Sequence, residues 1–271
     1  MTSTTLAALV TGGTVPAHTL AVLVAVALLA GWVDAVVGGG GLIQMPSLVI
    51  GLPSEVSVAT VAGTNKVASM AGTGAAVVTY LRRIRLHAPA VICLVSGAAV
   101  GSAVGARLVS HLPKALLTPL TLVVVVVVGA ITWARPTMGL HARPRAHDRA
   151  QAVRLAAVGL GVGLYDGAIG PGTGTFFVMA LVAVAGHDFL TATALAKVAN
   201  LATNIAAVTV FAWQGSVWWQ VGLPMAGANL LGGLLGARTA LRRGAGFVRV
   251  VFLVTVSILA VKLGVDTVRM L

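Results

Sequence analysis

The chain has 271 residues, of which 58% are hydrophobic and only 9% charged, and its mean hydropathy is +1.00. So few polar side chains cannot cover a water-soluble globule, and the composition specifies a polytopic membrane protein. The formal net charge of +12 is carried by arginines in short runs between apolar stretches, a pattern of membrane topology and not of a nucleic-acid-binding surface.

No Lys or Arg precedes Lys66, so the N-terminus lacks the charged flank of a signal peptide, and the apolar run from Leu20 is expected to be retained. Apolar segments are predicted at 18–37, 40–52, 57–81, 88–110 and 115–134, then at 155–169, 172–186, 190–213, 217–240 and 247–268. A span needs about 20 residues, so the first two segments of each set are short, and each pair reads as a re-entrant hairpin or as two short spans. Both pairs meet at glycine-rich breaks. The first is Gly31-Trp-Val-Asp34 followed by Gly38-Gly-Gly-Gly41, and the second is Gly163-Leu-Tyr-Asp166 followed by Gly170-Pro-Gly-Thr-Gly174, 132 residues later. Two further matches, Asn65-Lys66-Val-Ala-Ser69 with Ala196-Lys197-Val-Ala-Asn200 and Gly101-Ser-Ala-Val-Gly-Ala-Arg107 with Gly232-Gly-Leu-Leu-Gly-Ala-Arg238, are offset by 131. The chain therefore reads as a duplicated unit.

Basic residues are retained on the cytoplasmic side, and they cluster at Arg82, Arg83 and Arg85, at Arg135 to Arg154, and at Arg242, Arg243 and Arg249. Tracing spans from these clusters places both termini outside and makes the two copies inverted. The expected organisation is a first transmembrane repeat over 1–134, a cytoplasmic Arg-rich linker over 135–154, and a second repeat over 155–271. A competing arrangement fuses each opening pair into one span, giving eight helices in two parallel repeats. It forces roughly 35 residues into a crossing that needs about 20. Arg107, Lys114 and Arg269 fall on the outer side of the inverted scheme, so the charge bias is not absolute.

The paired Asp-glycine motifs, together with Thr64-Asn65-Lys66 and Lys197-Val-Ala-Asn200 followed by Asn204, resemble the TauE/SafE family of membrane permeases over almost the whole chain. The resemblance implies a bacterial-type, multi-pass inner-membrane transporter of sulfur oxyanions or small organosulfur compounds such as sulfite or sulfoacetate, with export as the usual direction. Passive anion conduction and import of another carboxylate or oxyanion stand as alternatives.

Lys66 and Lys197 are two of only four lysines, they occupy equivalent positions inside apolar segments, and a midmembrane ammonium costs at least a few kcal/mol unless it is paired or hydrated. Such residues contact an anion, or else they form internal ion pairs with Asp34 or Asp166. The two carboxylates, next to the breaks, are candidates for proton coupling or for helix capping. Amides freed at the breaks, at Gly40 and Gly41 and at Gly172, Thr173 and Gly174, suit an oxyanion, as in transporters built from broken helices. The alternative is that these glycines only let helices approach closely. Asn65, Asn200 and Asn204 are the neutral groups most expected at a substrate site, ahead of Thr64, Ser69, Thr203 and Gln44, and interhelical hydrogen bonding is the competing role of each. Small residues at every fourth position, Gly97, Gly101 and Gly105 and then Ala228, Gly232 and Gly236, predict close helix packing.

Cys93 is the single cysteine and the six histidines are scattered, so neither a metal site nor a cofactor is expected. No nucleophile with its base is visible, so the chain does not read as an enzyme. The expected fold is an all-α integral membrane protein of two inverted repeats, about five hydrophobic segments each, opening with glycine-broken hairpins around a midmembrane site. Its expected partners are a small anionic substrate and the bilayer, not nucleic acid, with a homo-oligomer left open.

Overall fold

The computed structural model describes residues 15–108 and 149–270. These form α1 (Ala17–Val37), α2 (Gly41–Gly51), α3 (Val58–Leu81), α4 (Ala88–Leu108), α5 (Arg149–Ala168), α6 (Thr173–Ala185), α7 (Phe189–Trp213) and α8 (Trp219–Met270), with no strand among the described residues. The predicted segment 115–134 and most of the linker lie outside the described residues. Helix α5 begins at Arg149, inside the stretch expected as linker. Helix α8 joins the last two predicted segments and is interrupted only at Gly244, whose φ of 77° and ψ of −175° are not helical.

Local chemistry sets the boundaries. Gly38 ends α1 in the left-handed region at φ 86°, and its N–H donates to the Asp34 carbonyl at 2.7 Å. Ser57 caps α3 by accepting from Thr60 N at 3.1 Å, and Asp188 caps α7 by accepting from Leu190 N and Thr191 N, each at 2.9 Å. Helices α1, α4 and α7 are each long and apolar enough to cross a membrane. In contrast α2, with 11 residues, and α6, with 13, reach only about 17 and 20 Å against a hydrocarbon core of about 30 Å.

The short helices fold back. A Cβ on Gly51 would lie 3.2 Å from the Leu23 side chain and 3.3 Å from that of Thr19, so the end of α2 returns beside the start of α1. Likewise Gln151 Nε2 donates to Val184 O at 3.3 Å, tying the start of α5 to the end of α6. Both opening pairs are therefore helical hairpins, whose second arms are shorter as helices than the hydrocarbon core.

Small residues join the hairpins to their neighbours. Gly97, Gly101 and Gly105 of α4 face Ala156, Leu160 and Leu164 of α5, while Gly159, Gly163 and Gly167 of α5 face Leu94, Ala98 and Ser102; a Cβ at any of the six would overlap a carbonyl oxygen opposite. Gly232 and Gly236 of α8 meet Leu28 and Trp32 of α1 in the same way. Residue numbers rise together across both contacts, so α4 runs parallel to α5 and α8 parallel to α1. Tyr80 OH, near the end of α3, donates to Ala35 O near the end of α1 at 2.8 Å, so these two also run together. Because the short connection Arg82–His87 reverses the chain between α3 and α4, the α1–α2 hairpin enters from one end of the bundle and the α5–α6 hairpin from the other. Outward-facing side chains such as Val49, Ile50, Val100, Leu223 and Ile258 are more than half exposed, the apolar surface that lipid requires.

Candidate functional site

The two breaks meet. Gly38 and Gly174 touch backbone to backbone, so a Cβ on either would overlap the other, and a Cβ on Gly41 would lie 3.4 Å from Pro171 Cα. Only residues without side chains allow the approach of Gly38 to Gly174; at Gly38 positive φ adds a second reason for glycine, and at Gly170 it is the reason. The second break is braced by Tyr165 OH donating to Pro171 O at 2.7 Å and Thr173 Oγ1 donating to Gly170 O at 2.6 Å. Thr175 Oγ1 donates to Val37 O at 3.3 Å and ties α6 to the first break. Neither α2 nor α6 has a side-chain N-cap, and the amides of Gly41 and Gly174 have no acceptor among the described residues.

Around the junction the charges pair crosswise. Lys66 of α3 pairs with Asp166 of α5 at 2.5 Å, and Lys197 of α7 pairs with Asp34 of α1 at 2.8 Å. Each lysine therefore joins the carboxylate of the other half of the chain. All four side chains are largely withdrawn from solvent, with exposures of 5% and 2% for the first pair and 0% and 13% for the second. Two ammonium groups and two carboxylates sum to zero, which makes their burial tolerable in a low-dielectric interior. Thr73 Oγ1 donates to Asp34 Oδ2 at 3.4 Å, and Asn204 Nδ2 donates to Thr73 Oγ1 at 3.4 Å. Thr73 and Asn204 are themselves separated by 131 residues, so equivalent positions of the two halves meet there.

A small cavity lies among these groups. Of the residues predicted from sequence, its wall includes Lys66, Asn65, Asn200, Asn204, Gly41, Gly172, Thr173, Gly174, Asp34 and Asp166. Two do not reach it. Gly40 is turned against α1, where a Cβ would overlap Ala30 O and lie within 2.5 Å of Asp34 Cβ. Lys197 has no exposed surface and does not line the cavity. Ser69, ranked behind the asparagines from sequence, lines the wall as well, and so do Gly38 and Gly170 of the paired motifs. Thr73 had no sequence signal beyond its equivalence to Asn204.

Farther from the cavity, Gln44 Nε2 donates to Asn65 O at 3.4 Å while Asn229 Nδ2 donates to Gln44 Oε1 at 2.7 Å and to Ala27 O at 3.0 Å. Gln44 thus links helices and is absent from the wall. Trp218 N donates to Thr64 Oγ1 at 2.9 Å, which gives Thr64 the same linking role. No group of three or more His, Cys, Asp or Glu side chains suited to a metal is found among the described residues.

Comparison with known proteins agrees with a membrane transporter. The family described as "Sulfite exporter TauE/SafE" matches residues 23–263. The chain is 33% identical over 253 residues to "Probable membrane transporter protein ORF9" of Sinorhizobium sp, covering 92% of this chain and 94% of the relative. It is 31% identical over 249 residues to "Probable membrane transporter protein YfcA" of Escherichia coli K12, covering 92% and 90%, and 32% identical over 235 residues to a "Probable membrane transporter protein" of Haemophilus influenzae, covering 85% and 88%. No solved structure matches the chain. With the matching family and relatives spanning both hairpins and both ion pairs, the chain belongs to the TauE/SafE family of membrane transporters.

Proposed function

We propose that the protein is a secondary transporter of small oxyanions, sulfur oxyanions or organosulfonates such as sulfite and sulfoacetate, in the bacterial inner membrane, with proton-coupled export. The observation that carries this reading is the meeting of unbonded amides at Gly41 and Gly174 with the Lys66 ammonium on one midchain cavity. An anion there gains a full charge and preorganised backbone dipoles where water is scarce, which is where such contacts are strongest. The family's description names sulfite, and this is the ground for preferring sulfur oxyanions over carboxylates. Proton coupling is favoured by the neutral sum of the four charged groups, since an added anion leaves a negative charge that a proton offsets.

The same reading includes two inverted repeats, 1–134 and 155–271, joined by a cytoplasmic 135–154, with both termini outside. The opposite entry of the two hairpins and the crosswise ion pairs support it. A ligand screen on purified protein by thermal shift, with sulfite, sulfate, thiosulfate, sulfoacetate and carboxylate analogues, tests the substrate class. Selective stabilisation by a sulfur oxyanion is expected. Stabilisation by carboxylates alone would move the assignment to another anion.

A further inference from the structure

The two ion pairs are equivalent in sequence but not in structure. Lys66 lines the cavity, and a Cβ on Gly170 would stand 3.5 Å from its Nζ, so the missing side chain of Gly170 leaves the ammonium uncovered on that side. Lys197 has no exposed surface, and at the equivalent Gly38 the backbone of Gly174 fills the corresponding space. Asn65, beside Lys66, lines the cavity at 4% exposure, and its Oδ1 has no partner among the described residues. The residue in that position beside Lys197 is the buried, apolar Ala196. Finally, Asp34 Oδ2 receives both Lys197 and Thr73, whereas Asp166 Oδ2 has Lys66 alone.

We propose that Lys66–Asp166 is the pair that opens to take the anion, while Lys197 is a positioning residue that holds Asp34 in the cavity wall. This rests on the oxyanion reading above. The arriving anion replaces the Asp166 carboxylate on Lys66 Nζ, and no covalent bond changes. Asp166, at 2% exposure, is then a carboxylate without a cation, and it takes one proton from the solution that delivered the anion. On release the proton departs with the anion and the ion pair re-forms. The charged groups facing Asp166 are Lys66 from α3 and Asp34 from α1, with Lys197 of α7 behind Asp34, and no other charged side chain among the described residues lines the cavity. Because these four charges sum to zero, the one proton on Asp166 balances a monoanion such as hydrogensulfite, and transport of that species is electroneutral.

Two charge-neutral double variants separate the pairs without leaving a lone buried ion: Lys66→Gln/Asp166→Asn and Lys197→Gln/Asp34→Asn. Sulfite uptake into proteoliposomes is measured below neutral pH, where the hydrogensulfite monoanion predominates, under an imposed pH gradient, with membrane potential set by potassium and valinomycin, after thermal unfolding shows both variants folded. The first variant should lose sulfite uptake. The second should be slower than wild type yet keep its dependence on the pH gradient and its indifference to potential. The reverse pattern, equal loss in both, or potential-driven uptake in wild type would overturn the proposal. A second measurement needs no substrate. In a Cys93→Ser background, Lys66→Cys/Asp166→Asn should react with a small methanethiosulfonate reagent faster than Lys197→Cys/Asp34→Asn, and equal or inverted rates would overturn the division of roles. If wild type moves no sulfite but the labelling difference holds, the oxyanion reading fails and the asymmetry of the pairs stands.

Discussion

Replacing Asp34 with Ala strands Lys197, and the size of the penalty follows from where that lysine sits. Its side chain has no exposed surface, its Nζ lies 2.8 Å from Asp34 Oδ2, and it is eight residues, about 12 Å, from the start of α7 at Phe189. The ammonium therefore has no short route to the interface, and removing its partner should cost the roughly 3–5 kcal/mol typical of a broken buried pair. The converse change, Lys197→Met, leaves a carboxylate that is 13% exposed on the cavity wall and still hydrogen-bonded by Thr73, so its cost should be lower, about 2–3 kcal/mol. The double variant removes both charges, and an apolar replacement of a buried pair is often close to neutral. A double-mutant cycle measured by denaturation in detergent, followed by circular dichroism, should thus give a coupling energy of at least about 2 kcal/mol. Costs that add to within about 0.5 kcal/mol would refute this, because Lys197 would then have another partner.

At the crossing of the breaks, Gly38→Ala should be poorly tolerated, since φ of 86° and overlap with Gly174 act together, and a loss of about 2–3 kcal/mol or failure to fold is expected in thermal unfolding. Gly161→Ala is the control: its Cβ meets nothing, it lies inside α5, and the change should be neutral or stabilise by up to about 1 kcal/mol. Gly101→Val should separate α4 from α5 and lower expression and thermal stability, and an unchanged melting temperature would contradict the close packing described. For topology, in a Cys93→Ser background, Ser216→Cys should label from outside with an impermeant thiol reagent and Arg83→Cys should not. The opposite pattern would reverse the orientation.

The breaks were legible because glycine and aspartate stand out in an apolar chain, and the observed helix ends at Val37, Gly41, Ala168 and Thr173 fall within a residue or so of the expected boundaries. Crosswise pairing was not legible, because either lysine was open to either aspartate until helix directions were known. Hydropathy reports depth in lipid and not helicity, so it missed the start of α5, where Arg149, Gln151 and Arg154 extend the helix beyond its apolar part. The same limit split α8 into two segments, although only Gly244 departs from helical geometry. Gly40 was placed at the site because it adjoins freed amides, yet in a turn of one or two residues neighbouring positions face opposite ways, and Gly40 faces α1. Thr73 escaped notice because a threonine inside a helix is ordinary until Asp34 and Asn204 are seen on either side of it.

The central claim is that a small oxyanion crosses the membrane by way of Lys66 and the cavity at the junction of the breaks. The most direct measurement is radiolabelled sulfite counterflow in proteoliposomes, with wild type beside Lys66→Gln/Asp166→Asn, after each is shown to be folded and inserted. The account predicts accumulation of label in wild type and none above empty liposomes in the variant; absence of counterflow in wild type, or undiminished counterflow in the variant, would contradict it.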